Sequence, residues 1–469
     1  MTATTRTPHG DELAPHPSGA APAGTAAPVT RRSGRWIEHW DPEDPTFWHD
    51  GGRRVASRNL WISVLAEFVG FAVWALWSIV VPQLPAAGFV LTIDQQFWLV
   101  AVPSLVGATL RIPYTFAVPL FGGRNWTVVS ALLLLLPTVA LALVVQRPET
   151  SFGVLLAVAA LAGFGGGNFA SSMANISFFY PEREKGKALG LNAAGGNLGT
   201  AAVQLAVPLV ITVGAGVALE RAGLMMVPFI VLAAVLAWRC MDNLSAARAD
   251  PRSFAAAARN KHTWIISFLY IGTFGSFIGY AGAFPMLLGA QFPGSGLSIA
   301  FLGALVGSVT RPLGGVIADR LGGSRVTIAS YGTMALGALG AIQALEWDSF
   351  GLFFGSFLLL FVATGVGNGS TYRMIPAVFQ ASTAAAAGDS APGDVRARAR
   401  RAAAGCIGIA GAVGAFGGFL IPRGFAASTS MTGSLVPALW AFIGMYALMA
   451  LVAWSVYRRR GAALSGARI

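Results

Sequence analysis

Twelve apolar stretches follow one another from Leu60 to Tyr457, and no other feature limits the fold so sharply. They lie near 60–81, 97–121, 126–146, 152–178, 187–212, 223–241, 264–290, 298–318, 326–345, 350–376, 403–424 and 434–457. Each is close to the roughly 20 residues that span a bilayer as a helix. Lipid offers no water to free backbone groups, so runs of this length read as helices. Charged residues make up 11% of the chain, against about 25% in soluble domains. A water-soluble enzyme and a disulfide-rich secreted fold are therefore excluded. Cys240 and Cys406 both fall in apolar stretches, so neither a disulfide framework nor a cysteine metal site is expected. The histidines (His9, His16, His39, His49 and His262) lie outside those stretches, and no cofactor motif is present.

The net charge of +12 would point to nucleic acid in a soluble protein; here it follows the loops. Basic residues precede the first span (Arg53, Arg54, Arg58) and separate spans four and five (Arg183, Lys185, Lys187). They recur between six and seven (Arg248, Arg252, Arg259, Lys261), between ten and eleven (Arg396, Arg398, Arg400, Arg401) and after twelve (Arg458, Arg459, Arg460). Opposite loops hold few, with Arg147, Arg221 and Arg423 as exceptions. The positive-inside rule then puts both termini in the cytoplasm. The expected organisation is a polar, largely disordered cytoplasmic tail (1–57) and a six-helix half (58–241). A cytoplasmic linker (242–262), a second six-helix half (263–457) and a short cytoplasmic tail (458–469) follow.

The halves repeat one another. Arg111 in L-R-I-P is followed by Gly122-Gly123, and Arg311 in T-R-P by Gly322-Gly323 at the same spacing, 200 residues on. Gly165, Gly167 and Asn168 recur as Gly365, Gly367 and Asn368 at that same offset. Two motifs at one offset indicate a duplicated six-helix unit. Parallel halves related by an axis along the membrane normal resemble the major facilitator superfamily, which implies an all-α fold with its site between the halves near the midplane.

Arg111 and Arg311 sit deep in spans two and eight, where a basic residue costs about 2.5–3.5 kcal/mol on insertion scales. A structural ion pair is the plainer reading, but Glu67 is the one acidic residue placed well inside a span. Two arginines against one glutamate leave a positive surplus that an anionic substrate would correct. Guanidinium is planar and grips planar oxyanions with parallel hydrogen bonds; nitrate, nitrite or a carboxylate would fit. Glu67 lies at a depth similar to Arg111. It is expected either to pair with that arginine, to reach the interface, or to carry a proton. The glycines of spans four and ten read either as helix packing or as a seam that slides when the halves exchange access.

The stretches N-F-A-S-S-M-A-N-I-S-F-F-Y-P with A-L-G-L-N-A-A-G-G-N-L-G (168–199), and G-V-G-N-G-S-T-Y-R-M-I-P (365–376), resemble the two signatures of the nitrate/nitrite porters of that superfamily. D-P-E-D-P-T-F-W (41–48), A-S-R-N-L-W-I-S-V (56–64), L-R-I-P-Y (110–114) and F-G-S-F-I-G (274–279) agree too. The resemblance implies nitrate and nitrite as substrates, with Arg111 and Arg311 on the ion. It also implies that Phe169, Tyr270, Phe274 and Asn197 hold it. A-D-R-L-G-G-S-R (318–325) resembles the superfamily's cytoplasmic loop motif, with Asp319 as a conformational latch; F-G-G-R-N-W in the first half lacks the acid. Arg373, a departure within the second signature, reads as an interfacial residue. The expected protein is thus a monomeric transporter of the inner membrane, exchanging nitrate for nitrite or importing nitrate with protons, without cofactor, metal or nucleic acid. A carrier of formate or a short carboxylate, and a non-transporting anion sensor, are the alternatives.

Overall fold

The computed structural model describes residues 29–459, 464 and 469, except 215, 249–250, 295 and 387–390. Among the described residues, twelve helices are long and apolar enough to cross a membrane. The first half comprises spans one (Pro45–Gln83), two (Ile93–Phe121), three (Gly123–Val144), four (Phe152–Phe179), five (Glu182–Ile211) and six (Glu220–Cys240). The second comprises spans seven (Lys261–Gln291), eight (Leu297–Leu321), nine (Gly323–Glu346), ten (Phe350–Ala385), eleven (Gly393–Thr432) and twelve (Val436–Tyr457). Span one packs on four and five and span two on four; span ten packs on eight and nine. The halves meet where five lies along eight, two along eleven and one along seven. Large apolar side chains such as Leu143, Leu232, Leu336 and Leu451 stay exposed, as lipid-facing positions must.

The glycines of spans four and ten pack against spans of their own half. A Cβ on Gly165 would come within 2.1 Å of the Gly70 carbonyl oxygen in span one, and one on Gly167 within 3.0 Å of the Tyr114 ring in span two. A Cβ on Gly365 would sit 2.1 Å from Thr310 Oγ1 in span eight, and one on Gly367 2.8 Å from Thr273 Cγ2 in span seven. These glycines let spans four and ten approach neighbours of their own half, so each half packs as a tight unit. The equivalent loops at Gly122 and Gly322 require glycine for another reason, because their φ angles are +87° and +94°.

Of the expected disordered tail, residues 1–28 lie outside the described residues, but 31–57 are folded. Strands β1 (Arg31–Arg32) and β2 (Trp36–Ile37) pair antiparallel, and β2 pairs parallel with β3 (Asn243–Leu244) beyond span six. Asp242, fully buried, holds this platform together. It accepts from Arg31 Nε at 2.8 Å, pairs with Arg35 at 2.8 Å and with Arg58, and takes a further hydrogen bond from Asn59. Burial works to raise the Asp242 pKa, but the hydrogen bond from Arg31 and the charges of Arg58, Arg31 and Arg35 outweigh it and hold it below its ordinary 3.8. Trp40 and Trp48 add aromatic anchors: their indoles donate to the Phe179 carbonyl (3.3 Å) and to Glu184 (3.0 Å). Composition hid this order, because its main partner lies about 200 residues away in sequence. The linker 242–262 likewise holds β3 and a short helix, Pro251–Arg259. Of the tail 458–469, residues 460–463 and 465–468, including Arg460, lie outside the described residues.

Candidate functional site

Spans two, four, seven and eight bring their marked residues together at the centre. Arg111 and Arg311 lie within spans two and eight, and are 1% and 5% exposed. Both guanidiniums are buried among the described residues. At one end Arg423 of span eleven pairs with Asp94 of span two at 2.8 Å and lies over Trp98. At the other end Asp319 pairs with Arg373 of span ten, so the signature's departing arginine is the partner of the expected latch. A Cβ on Gly186 of span five would lie 2.9 Å from Arg373 Nη1, which places this pair against the opposite half.

Arg111 donates from Nε to the Gly166 carbonyl (3.2 Å) and from Nη1 to the Gly411 carbonyl (2.8 Å), which lies in the other half. Its guanidinium carbon stands 4.4 Å from the Phe169 ring centre and 4.9 Å from that of Phe274. Arg311 faces the same two rings, each at 5.7 Å. Phe169 comes from the first half and Phe274 from the second; their centres are 6.0 Å apart with planes 26° from parallel. Two van der Waals contacts need about 7–8 Å, so a planar ion entering between the rings would spread them by about 1–2 Å. Each arginine keeps one buried nitrogen, Nη2 of Arg111 and Nη1 of Arg311, without a hydrogen-bond partner among the described residues. Buried donors of charged groups are rarely left so, and an oxyanion acceptor would satisfy both.

Tyr270 immediately precedes a π-helical turn, Ile271–Gly275, in span seven, and Phe274 lies within it. Such turns re-aim side chains at functional positions, and the two rings stack at 5.1 Å. The Tyr270 hydroxyl donates to Asn368 Oδ1 (2.8 Å) and accepts from Arg311 Nη2 (3.4 Å). Asn368 is therefore a site residue that the sequence reading did not single out, although the repeat at offset 200 already named it with Asn168. Trp74, 5.6 Å from the Arg111 guanidinium, carried no sequence signal.

Two expectations are met differently. Asn197 is fully buried in span five, but neither its amide nitrogen nor its oxygen has a hydrogen-bond partner among the described residues. No hydrogen bond ties it to the arginine network. Glu67 forms no ion pair with Arg111 among the described residues, nor does it reach the interface. It is 1% exposed, and its Oε2 accepts from Asn192 Nδ2 of span five at 2.7 Å. Arg111 instead donates to the Gly166 and Gly411 carbonyls and stands over two aromatic faces.

The sequence profile of the Major Facilitator Superfamily matches residues 64–415. The chain is 41% identical to the Nitrate/nitrite transporter NarU of Escherichia coli (strain K12), covering 90% of this chain and 96% of that one. It is 38% identical to the Probable nitrate/nitrite antiporter NarK2 of Thermus thermophilus, covering 92% and 98%. In three dimensions it resembles the D-xylose-proton symporter, with a TM-score of 0.62 over 85% of this chain and 97% of that one. At 16% identity that likeness speaks to the fold alone. Fold, repeat and relatives agree that this chain is a twelve-span membrane transporter of the major facilitator superfamily and belongs to its nitrate/nitrite porter family.

Proposed function

We propose that this protein exchanges nitrate for nitrite across the cytoplasmic membrane by alternating access, with both termini on the cytoplasmic side. One observation carries the reading. Arg111 and Arg311 converge on one aromatic pair from opposite halves, and each keeps one buried nitrogen unpartnered. A planar anion between them accepts from both forks while Phe169 and Phe274 cover its faces. Tyr270, tied to Asn368, positions the Arg311 fork, and Asn197 offers its unpaired amide to the ion or to water beside it. The names of the relatives support nitrate and nitrite as the anions.

Alternating access follows from electrostatics. With the cleft empty, two guanidiniums face each other across a dry seam, and like charges at low dielectric oppose its closure. An anion removes that opposition, so loaded protein reorients and empty protein does not; this is exchange. Asp319 with Arg373, and Asp94 with Arg423, latch the two ends in turn. Each half is internally rigid, and one protomer contains the whole site, so a monomer suffices. The basic-loop asymmetry supports the orientation. Counterflow in proteoliposomes tests the reading. Internal nitrite is expected to drive uptake of labelled nitrate; equal uptake into vesicles loaded with formate would favour a general carboxylate carrier, and binding without uptake a sensor.

A further inference from the structure

The linker helix Pro251–Arg259 joins the two halves in sequence and also bridges them in space. Its Phe254 meets Phe116 of span two edge-on, with ring centres 5.3 Å apart. On span eleven it faces Gly408, where a Cβ would lie 3.4 Å from Phe254 Cε2 and 3.9 Å from Thr115 Cγ2 of span two. One turn earlier, a Cβ on Gly405 would come within 2.7 Å of Ala257 Cβ, so span eleven is kept small where the linker helix lies on it. Thr115 and Phe116 stand about one turn beyond Arg111, and Gly408 about one turn before Gly411, whose carbonyl accepts from Arg111. Phe254 therefore closes the seam between spans two and eleven about one turn from the substrate arginine, at the end of the bundle that carries the basic loops.

The other face of the linker helix is cationic. Arg252 and Arg259 are two turns apart and so share a face; both are exposed, as are Ala255 and Ala256, whereas Ala257 is buried. Lys261 is exposed as well, and so are Arg398, Arg400 and Arg401 in the first three turns of span eleven, the span on which the linker helix packs. None of these six cations has an acidic partner among the described residues. In sequence, stretches 248–261 and 389–401 hold eight basic residues against three acidic ones. Trp264 fixes the depth: its ring is 54% exposed on span seven, and its indole donates to the Ala258 carbonyl at 2.8 Å. Exposed tryptophans on spanning helices mark the headgroup level, so the end of the linker helix lies there too. A loop needed only for orientation would carry charge without a packed apolar face.

We propose that the linker helix is a docking site for anionic phospholipid headgroups, gripped by Arg252, Arg259 and Lys261 with Arg398, Arg400 and Arg401 beside them. Headgroup binding holds Phe254 in the seam between spans two and eleven and so braces that end of the transporter shut. An amphipathic helix with arginines on its polar face binds in the interface plane and draws its strength from anionic lipid, and guanidinium matches phosphate oxygens with paired hydrogen bonds. The docking does not depend on which anion is carried; its effect on transport rests on the exchange reading above.

The test uses the full chain in nanodiscs and vesicles of phosphatidylcholine, alone or mixed with phosphatidylglycerol. The Phe254→Cys, Phe116→Cys pair is expected to form its disulfide several-fold faster in the anionic membrane, and native mass spectrometry of the wild type to show retained phosphatidylglycerol. Adding Arg252→Gln, Arg259→Gln and Lys261→Gln returns the disulfide rate to its neutral-membrane value and removes the retained lipid. Should that variant not purify as a monodisperse protein, Arg398→Gln with Arg400→Gln and Arg401→Gln is expected to lower both readouts. Labelled nitrate counterflow is expected to run several-fold slower in anionic vesicles for the wild type and at one rate in both for Phe254→Ala. Equal disulfide rates in the two membranes, lipid retention unchanged in the glutamine variants, or acceleration by soluble glycerol phosphate alone would each overturn the proposal. Equal slowing of wild type and Phe254→Ala, the mark of nitrate repelled by a charged surface, would overturn the brace. Failure of wild-type counterflow in neutral vesicles would instead strike the exchange reading, and the disulfide rates would still decide the docking.

Discussion

Arg311→Lys separates charge from shape. Lysine keeps the positive charge but replaces a planar fork by a strongly hydrated point charge. In the structure Arg311 uses Nη2 on the Tyr270 hydroxyl at 3.4 Å and leaves Nη1 for a ligand. An ammonium cannot reach both positions. Losing one charge-assisted hydrogen bond costs about 1.5–3 kcal/mol. Weaker contact with the faces of Phe169 and Phe274 costs about 0.5–1 kcal/mol more. The total, about 2–4 kcal/mol, corresponds to a loss of roughly 30- to 1,000-fold in kcat/KM at 1.36 kcal/mol per tenfold. The assay is the initial rate of labelled nitrate counterflow, with the variant first shown to be monodisperse. A rate within about threefold of wild type, less than 1 kcal/mol, would refute the requirement for two forks.

Further expectations follow from other parts of the molecule. Tyr270→Phe removes the link between Arg311 and Asn368. About one hydrogen bond, 1–1.5 kcal/mol, should raise the nitrate KM on the order of tenfold, and an unchanged KM would place Tyr270 outside the site. Asp242→Asn should lower the melting temperature, by a loss of about 1.5–3 kcal/mol for a buried carboxylate bonded to cations. Because the folded pKa of Asp242 is depressed, its contribution is complete above the ordinary 3.8 and is lost as pH falls through the folded value. The wild type should therefore lose this stability only in acid, and Asp242→Asn should lack that part of the pH dependence. Gly365→Ala forces a Cβ to 2.1 Å from Thr310 Oγ1 and should cost about 1–3 kcal/mol. Gly351→Ala, where a Cβ meets nothing within 4 Å, should melt like wild type.

Much of this architecture is legible because lipid is a demanding solvent. A span must be apolar along its length, so the twelve helices stand out in sequence, and a charge within one is costly enough to mark Arg111 and Arg311. Their recurrence at one offset then identifies the cleft. The rings and amides are harder to read. Phe169 differs from a packing phenylalanine only through its position against two guanidiniums, and the resemblance, not the spacing, pointed to it. Asn368 was visible in the repeat, but its pairing with Tyr270 depends on the rotation of span ten and the π turn of span seven, which no periodicity reports. The folded segment 31–57 depends on Asp242, so local composition could not announce it. The glycines were visible as close contacts, but which helices they joined depended on tertiary packing.

The central claim is that one small anion, held by arginines from both halves, permits the protein to reorient. Counterflow of labelled nitrate into proteoliposomes loaded with nitrite, compared with identical vesicles lacking internal anion, measures this directly. The account predicts transient accumulation that requires internal nitrite and disappears in the Arg111→Gln and Arg311→Gln variants. Equal accumulation without internal anion and without a pH gradient, or accumulation that survives loss of either arginine, would contradict it.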